Sequence, residues 1–306
     1  MMAAATTSYA QTNNDPAAVK LITDDIGHFW QAFDARAALG TAAAIDSLYF
    51  KPATPGLKDW IRLRLTDAKT FAATIDRVPR YYESARTSTL QIARAEPRIR
   101  DALVALKAFY PDAVFPDVYF VIGRLTSGGT TGRSGLLIGA EMYARTTDSA
   151  LVGLSDWHKQ VLSNVEKVPA VVAHELVHYQ QSIRGSTLLA HALREGSADF
   201  VAELASHDNI NAHVHAWVHA VPDRERALWV EFQRDMLGTD VKQWFSSTDV
   251  NVRPKDLGYF MGYQIAAAYY DNHEDKTGAL KDILTTSDPE KLLRDSGYPL
   301  RFRTTP

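Results

Sequence analysis

The chain has 306 residues, of which 46% are hydrophobic and 23% charged, and its formal net charge is −3. This composition is typical of a globular protein, and it excludes a largely disordered chain and a global basic field for nucleic acid or anionic membranes. No run of about 18 apolar residues is present, so no transmembrane helix is predicted. Because the chain has no cysteine, a zinc site must use His, Asp or Glu.

The N-terminal segment 1–14 is predicted to be a flexible tail or the remnant of a secretory signal peptide that ends near Ala10. Small residues precede Gln11, although no apolar signal core comes before them. The signal-peptide interpretation predicts a periplasmic or secreted protein. The alternative is a cytoplasmic protein with a disordered N-terminus.

Residues 15–112 are predicted to form a helical layer without obvious chemistry. Asp15-Pro16 is typical of a helix start, and apolar residues at helical spacing predict a helix that continues to Leu39 and stops at Gly40. Further helices are predicted near 57–77, 81–95 and 97–109.

The pattern becomes β-rich after residue 113. Segments 117–124 and 136–143 are predicted strands, joined by the glycine-rich turn 126–135, and they form either a long hairpin or two strands of a sheet. The glycines do not follow the order of a phosphate-binding loop, and no helix start comes after them, so nucleotide binding is disfavoured.

The rest of the chain is predicted to be mainly helical. Helices are expected near 148–161, 165–183, 187–206, 223–236, 254–272 and 277–284. The fold class is therefore α+β and mainly α-helical. Residues 113–306 are predicted to form the core, in one compact unit with the helical layer.

The segment 170–182, AVVAHELVHYQQS, contains the pattern H-E-x-x-H. On a helix, His174 and His178 lie on the same face and can point at one metal ion. Glu175 is beside His174 and can take a proton from a water that zinc activates without being a ligand itself. The alternative is an ordinary helix with these residues on a solvated or partly buried face. Chance rarely produces this pattern, so the alternative is disfavoured.

A catalytic zinc site also needs a third protein ligand. The pattern H-E-x-x-H-x-x-G-x-x-H would put a histidine where the chain has Arg184, so that pattern fails. Glu195 in HALREGSADFVAEL is the better prediction, with His191 as its rival. Asp199, one turn after Glu195, is predicted to hold the other ring nitrogen of a ligand histidine, or else to be a surface charge.

The motif H174-E-L-V-H178 followed by E195-G-S-A-D199 resembles the gluzincin branch of the zincin metallopeptidases. Together with LGYFMGYQIAAAYY, these segments also resemble bacterial proteins predicted to be zinc-dependent proteases and related to gliding-motility lipoproteins. The resemblance covers about residues 116–272. It implies a zincin-like fold in which a small sheet lies over the active-site helix and its edge strand aligns a peptide.

The resemblance further implies a Tyr or His from a later helix that stabilises the oxyanion of the reaction. Tyr263 is the preferred donor and Tyr259 follows closely, although either side chain could simply pack in the core. The histidines of 207–220, namely His213, His215 and His219, could form a second metal site, but a polar segment is favoured because no acidic partner is obvious.

The leading functional prediction is a zinc-dependent hydrolase, a metallopeptidase that cleaves peptide bonds with a zinc-bound water activated by Glu175. Its cofactor is Zn²⁺ and its partner is a peptide or protein substrate. One alternative is a non-catalytic envelope protein that uses a zincin scaffold for binding or assembly. The other is a zinc hydrolase that acts on a non-peptide amide or ester.

Overall fold

The computed structural model describes residues 13–246 and 253–302. Residues 1–12, which include the predicted signal-peptide end near Ala10, lie outside the described residues. The described chain is mainly helical with one four-stranded sheet. It forms two compact units: one contains the chain up to Asp101 and Val114–Leu176, and the other contains Ala102–Ala113 and the chain from Val177 onward. Within the described ranges, no helix has both the length and the apolar character needed to span a membrane.

The helices and strands alternate irregularly along the chain. The α-helices are α1 (Asp24–Leu39), α2 (Thr41–Ala44), α3 (Pro55–Trp60), α4 (Ala68–Arg77), α5 (Pro79–Leu90), α6 (Glu96–Phe109), α7 (Asp156–Val161), α8 (Val168–Gln180), α9 (Leu188–Ser206), α10 (Ala212–His219), α11 (Arg224–Asp235), α12 (Lys242–Phe245), α13 (Leu257–Asp271), α14 (Lys276–Thr285) and α15 (Pro289–Asp295). Shorter 3₁₀ or π turns are Pro16–Ala18, Ile45–Phe50, Ile61–Leu65, Ile92–Ala95, Ala140–Tyr143, Val165–Lys167 and Tyr298–Phe302. Helices α2, α12 and α15 are short and lie in segments for which no helix was predicted.

The sheet lies in the first unit. Its strands are β1 (Leu21–Ile22), β2 (Val118–Val121), β3 (Gly129–Thr131) and β4 (Leu136–Gly139), in the order β1-β2-β4-β3. β2 is parallel to β1 and to β4, whereas β3 is antiparallel to β4. Of the two predicted arrangements for 117–124 and 136–143, two strands of a sheet is therefore correct.

The glycine-rich segment forms the hairpin instead. Gly132 donates its backbone N–H to the carbonyl of Gly135 at 2.8 Å, which closes the turn between β3 and β4. Gly135 has φ 143°, and a Cβ there would lie 2.1 Å from the carbonyl oxygen of Asp117. Only glycine fits at position 135 of this turn. The sequence predicted a simple turn for this segment, but part of it is an edge strand with its own turn.

The first predicted helix starts later than expected. Asp15 caps a single 3₁₀ turn by accepting from the backbone N–H of Ala17 at 2.9 Å. The chain then enters the sheet, where Leu21 pairs with Val118, and α1 begins at Asp24. It ends at Leu39 before Gly40, as predicted. Pairing with a distant strand overrode the local helix signal at Asp15-Pro16.

The predicted helix 57–77 is interrupted near its middle. Thr66 adopts φ 74°, outside helical geometry, after the π turn Ile61–Leu65. Asp67 then starts α4 by accepting the backbone N–H of Thr70 at 2.8 Å. Because an Asp side chain satisfies one of the free N–H groups of a first turn, it makes a new start favourable at this point.

Each unit has its own apolar core. In the first unit, aromatic rings from α1, the turn Ile45–Phe50, α4 and α5 cluster together, namely Phe29, Trp30, Tyr49, Phe71 and Tyr82. In the second unit, α9 and α13 pack closely. A Cβ on Gly262 would lie 1.7 Å from the carbonyl oxygen of Ala192, and one on Gly196 would lie 2.1 Å from the backbone nitrogen of Tyr263. The two glycines let the helix backbones touch.

Candidate metal centre

The H-E-x-x-H motif lies on α8, a helix with apolar residues on most of its faces. Pro169 occupies its first turn, where a missing N–H costs nothing. Its neighbours Ala170, Val171, Val172, Ala173, Leu176 and Val177 are all buried. His174 and Glu175 are only 5% and 9% exposed. This excludes a solvated helix face for them, and it makes their polar groups costly unless something satisfies them.

Three predicted ligands come together. The metal-binding atoms of His174, His178 and Glu195 all lie within 4.8 Å of one another. Within the second unit, His178 Nε2 is 3.4 Å from Glu195 Oε2. Two imidazole nitrogens and one carboxylate oxygen are a donor set that suits a catalytic zinc ion, so these residues fit the metal that the motif implies.

The connection between α8 and α9 is fixed by backbone contacts in the second unit. The N–H groups of Ser182 and Arg184 bond to the carbonyls of Leu284 and Thr286 at 2.9 and 3.2 Å. The side chain of Thr187 then starts α9 by accepting the N–H of Ala190 at 3.2 Å. These contacts set where α9 begins, and so they place Glu195 two turns later.

His191, the rival third ligand, is not in this group of donor atoms. Its ring packs edge-on against Phe245, with 4.3 Å between the ring centroids. Burial lowers the pKa of His191, an effect that the nearby charge of Glu195 opposes. The described geometry therefore favours Glu195 over His191 as the third donor.

Gln181 is a residue that the sequence prediction missed. Its Oε1 is 2.8 Å from His178 Nδ1, on the opposite side of the ring from Nε2. Its Nε2 donates to the carbonyl of Arg194 at 2.7 Å and to Ser197 Oγ at 3.0 Å. The usable sequence signal was a polar side chain one turn after His178.

Asp199 is 1% exposed and therefore lies inside the protein. Asn211 Nδ2 donates to its Oδ2 at 2.7 Å. This burial excludes the surface-charge alternative, while its support of a ligand histidine stays a prediction. Asp256, at the start of α13, is a further carboxyl near Asp199 and Glu195. Burial raises the pKa of Asp256 to about 6, and those two charges act in the same direction.

The two predicted tyrosines are placed differently. The hydroxyl of Tyr259 hydrogen-bonds the carboxylate of Glu195, and burial together with that charge raises the pKa of Tyr259. Tyr263 instead hydrogen-bonds Glu203, and burial followed by the Glu203 charge raises its pKa. The close crossing of α9 and α13 at Gly196 thus brings Tyr259, rather than Tyr263, to a predicted ligand.

Glu175 lies against the edge strand of the sheet, within the first unit. A Cβ on Gly129 would be 2.5 Å from Glu175 Oε1 and 2.7 Å from its Cγ. The ring of Tyr143 is close by: a Cβ on Gly128 would be 2.0 Å from its hydroxyl oxygen. Burial raises the pKa of Tyr143, and the charge of Glu175 adds to that effect. The sequence did not predict that β3 and Tyr143 would border Glu175.

The other histidine cluster does not assemble a comparable set. The ring of His215 packs between those of Phe260 and Tyr263, with centroids 4.9 and 4.6 Å away. His219 Nε2 is 3.8 Å from Glu225 Oε2. Across residues 13–246 and 253–302, the set of three His, Asp or Glu donors is the one around His178.

One family model matches the chain, and its description is gliding motility protein GldB. The match covers residues 65–218, which are 154 of the 306 residues, and includes the motif of α8 and the whole of α9. No curated protein and no solved structure matches the chain. The match confirms the predicted relation to gliding-motility lipoproteins. Because it extends over half of the chain, the protein belongs to the family of the gliding motility protein GldB.

Proposed function

We propose that the protein is a zinc-dependent hydrolase of the gluzincin type, with a zincin-like fold and with peptides as its substrates. His174, His178 and Glu195 are the proposed zinc ligands. The observation that carries the proposal is the grouping of their donor atoms within 4.8 Å on largely buried helices. A structural zinc site would be closed by four protein ligands, whereas three ligands are typical of catalytic sites.

The roles of the side chains follow from their positions. When bound, zinc lowers the pKa of a water molecule and polarises the substrate carbonyl. Glu175 takes a proton from the attacking water and returns it to the leaving amine. The hydroxyl of Tyr259 is the preferred donor to the developing oxyanion, because it is held at Glu195. Tyr263 stays the second possibility.

The sheet supports a peptide rather than a compact ligand. β3 is at the edge of the described sheet, with β4 as its neighbour. An extended peptide can pair with such an edge through its backbone. Gly129 lies directly against Glu175, so a peptide paired along β3 would carry its carbonyl groups past the general base.

The decisive experiment combines zinc content with hydrolysis. We expect about one zinc ion per chain and cleavage of members of a peptide library. Glu175→Gln should keep the zinc and lower kcat by about 100-fold or more, because general-base catalysis is worth roughly 10²–10⁴. Glu290→Gln, a change at an exposed residue of α15, is the matched control.

Wild-type protein that binds no zinc under any loading condition would refute the proposal. A library of amides and esters, run in parallel, separates a peptidase from a hydrolase of non-peptide substrates. Cleavage confined to the non-peptide library would support the proposed zinc chemistry, but it would mean that the substrates are amides or esters rather than peptides.

A second candidate function is favoured by the family match. The match to the gliding motility protein GldB supports an envelope protein in which the zincin scaffold serves binding or assembly. This function predicts that Glu175→Gln leaves the cellular role intact even where zinc is bound. Complementation of a deletion strain by wild type and by Glu175→Gln separates the two functions. The same strain, fractionated, tests the proposed periplasmic or secreted location.

A further inference from the structure

We infer that Gln181 is a positioning residue that fixes the tautomer of His178 and presents its Nε2 lone pair to the metal. The inference rests on the proposed zinc site. It deepens that proposal, because nothing in the motif itself requires a glutamine at this position. Gln181 contacts the ligand histidine on one side and the helix that carries Glu195 on the other.

The orientation of the Gln181 amide is determined by its neighbours. The backbone carbonyl of Arg194 can only accept a hydrogen bond, so the group that faces it at 2.7 Å must be the NH₂ of Gln181. The same NH₂ reaches Ser197 Oγ at 3.0 Å. Because both acceptors lie on the NH₂ side of the amide, the carbonyl oxygen of Gln181 lies on the other side and faces His178.

The tautomer of His178 follows from that orientation. An amide oxygen only accepts, so the ring atom 2.8 Å away, Nδ1, must carry a proton. In a neutral imidazole, the second nitrogen then carries no proton and can act as a metal ligand. That nitrogen is Nε2, which faces Glu195 Oε2 at 3.4 Å. Gln181 thus selects the tautomer in which Nε2 can bind a metal.

Gln181 also links two ligands mechanically. Arg194 and Ser197 flank Glu195 on α9, and both accept from the same NH₂ group. Arg194 in turn donates to the carbonyls of Ile183 and Gly185 at 3.3 Å. One amide group therefore sets the ring orientation of His178 and its spacing from the Glu195 turn.

The test uses two substitutions that differ at the acceptor. Gln181→Leu removes both the acceptor and the donors, whereas Gln181→Glu keeps an oxygen for His178 Nδ1. Gln233→Leu, at an exposed position of α11, is the control. Nitrogen-15 spectra of the histidine rings, recorded on metal-free protein above the histidine pKa, report which ring nitrogen of His178 carries the proton. Zinc affinity is measured by competition with a chelator.

The wild type and Gln181→Glu should both show the proton on Nδ1, and Gln181→Leu should lose that preference. Zinc affinity should fall by about 10- to 100-fold in Gln181→Leu, the usual effect of losing such support, and stay within about twofold in Gln233→Leu. A wild type with the proton on Nε2, or a Gln181→Leu variant with unchanged spectrum and zinc affinity, would overturn the inference.

The two proposals fail in different ways. A wild type that binds no zinc removes the proposed function, yet the spectra of the metal-free protein still decide whether Gln181 sets the His178 tautomer. Conversely, tight zinc binding by the wild type, together with a Gln181→Leu variant whose spectrum and zinc affinity are both unchanged, leaves the hydrolase proposal in place and removes the role of Gln181.

Discussion

At the scale of single residues, Glu141 is a buried carboxyl group that lies outside the candidate metal centre. Its side chain is fully buried and accepts the backbone N–H groups of Gly123 and Leu125 at 2.8 and 3.2 Å. Burial raises its pKa to about 7, although these hydrogen bonds oppose the shift. Glu141 therefore holds the chain after β2 in place, and its charge carries a cost when it ionises.

The raised pKa of Glu141 makes stability depend on pH. Between its ordinary pKa of 4.5 and about 7, the folded protein binds the proton and the unfolded chain does not. The contribution of this group is therefore fully present below about pH 4.5 and is lost as the pH rises through about 7, by on the order of 3 kcal/mol. Urea unfolding of wild type and Glu141→Gln at several pH values measures it.

Glu141→Gln cannot ionise, and it also loses one accepted hydrogen bond, at a cost of about 1–3 kcal/mol. We expect the variant to be less stable than wild type at pH 5 and to approach wild type by pH 8. Stability curves that stay parallel across this range would show that Glu141 titrates normally in the folded protein.

At the scale of elements, strand β3 and helix α8 contact each other within the first unit through Gly129 and Glu175. Gly129 has no side chain, which allows Glu175 to lie against the strand. The strand is short and at the sheet edge, so its backbone is the part of the sheet that another chain can approach. The strand matters for the proposed function because Gly129 has no side-chain atoms that would displace Glu175.

Gly129→Ala tests this contact. The added Cβ would be 2.5 Å from Glu175 Oε1, so Glu175 must move away from the strand. We expect kcat to fall by about 100-fold, since a displaced general base loses much of a 10²–10⁴ contribution. Zinc affinity should change little, because Glu175 is not a ligand. Steady-state kinetics and chelator competition provide the two measurements.

Gly27→Ala is the matched control for that experiment. Gly27 is in α1, where an added Cβ meets no atom within 4 Å, and alanine there should favour the helix by up to about 1 kcal/mol. Equal loss of kcat in both variants, or full activity in Gly129→Ala, would mean that the β3 contact does not position the base.

At the scale of the whole chain, the sequence predicted the elements better than their connections. The stop of α1 at Gly40 follows from local chemistry, and the prediction placed it well. The parallel pairing of β2 with β4 could not be predicted in this way, because it depends on contacts between residues that are distant in sequence.

The candidate site shows the same division. Spacing alone predicted that His174, His178 and Glu195 would converge, and the structure groups their donor atoms. Spacing did not identify Gln181, because its importance depends on the orientation of an amide between two helices. The placement of Tyr259, rather than Tyr263, beside Glu195 could not be predicted from spacing either. It depends on where α9 crosses α13, which glycine positions control.

Zinc should raise the stability of the folded chain. Binding to the native state adds about 2.7 kcal/mol when free zinc is 100 times its Kd, which corresponds to an increase in Tm of several degrees for a chain of this size. Thermal unfolding with zinc and with a chelator measures the shift. His178→Ala should abolish it, and a shift of equal size in that variant would indicate zinc binding elsewhere.

The glycine crossing of α9 and α13 also constrains how this chain can diverge. A side chain at Gly196 or Gly262 would overlap backbone atoms of the opposite helix, so neither position can drift independently. A descendant that enlarges one of them must separate the helices and draw Tyr259 away from Glu195. Retention of both glycines in a homologous sequence is therefore a simple marker for chains that keep the tyrosine at the carboxylate.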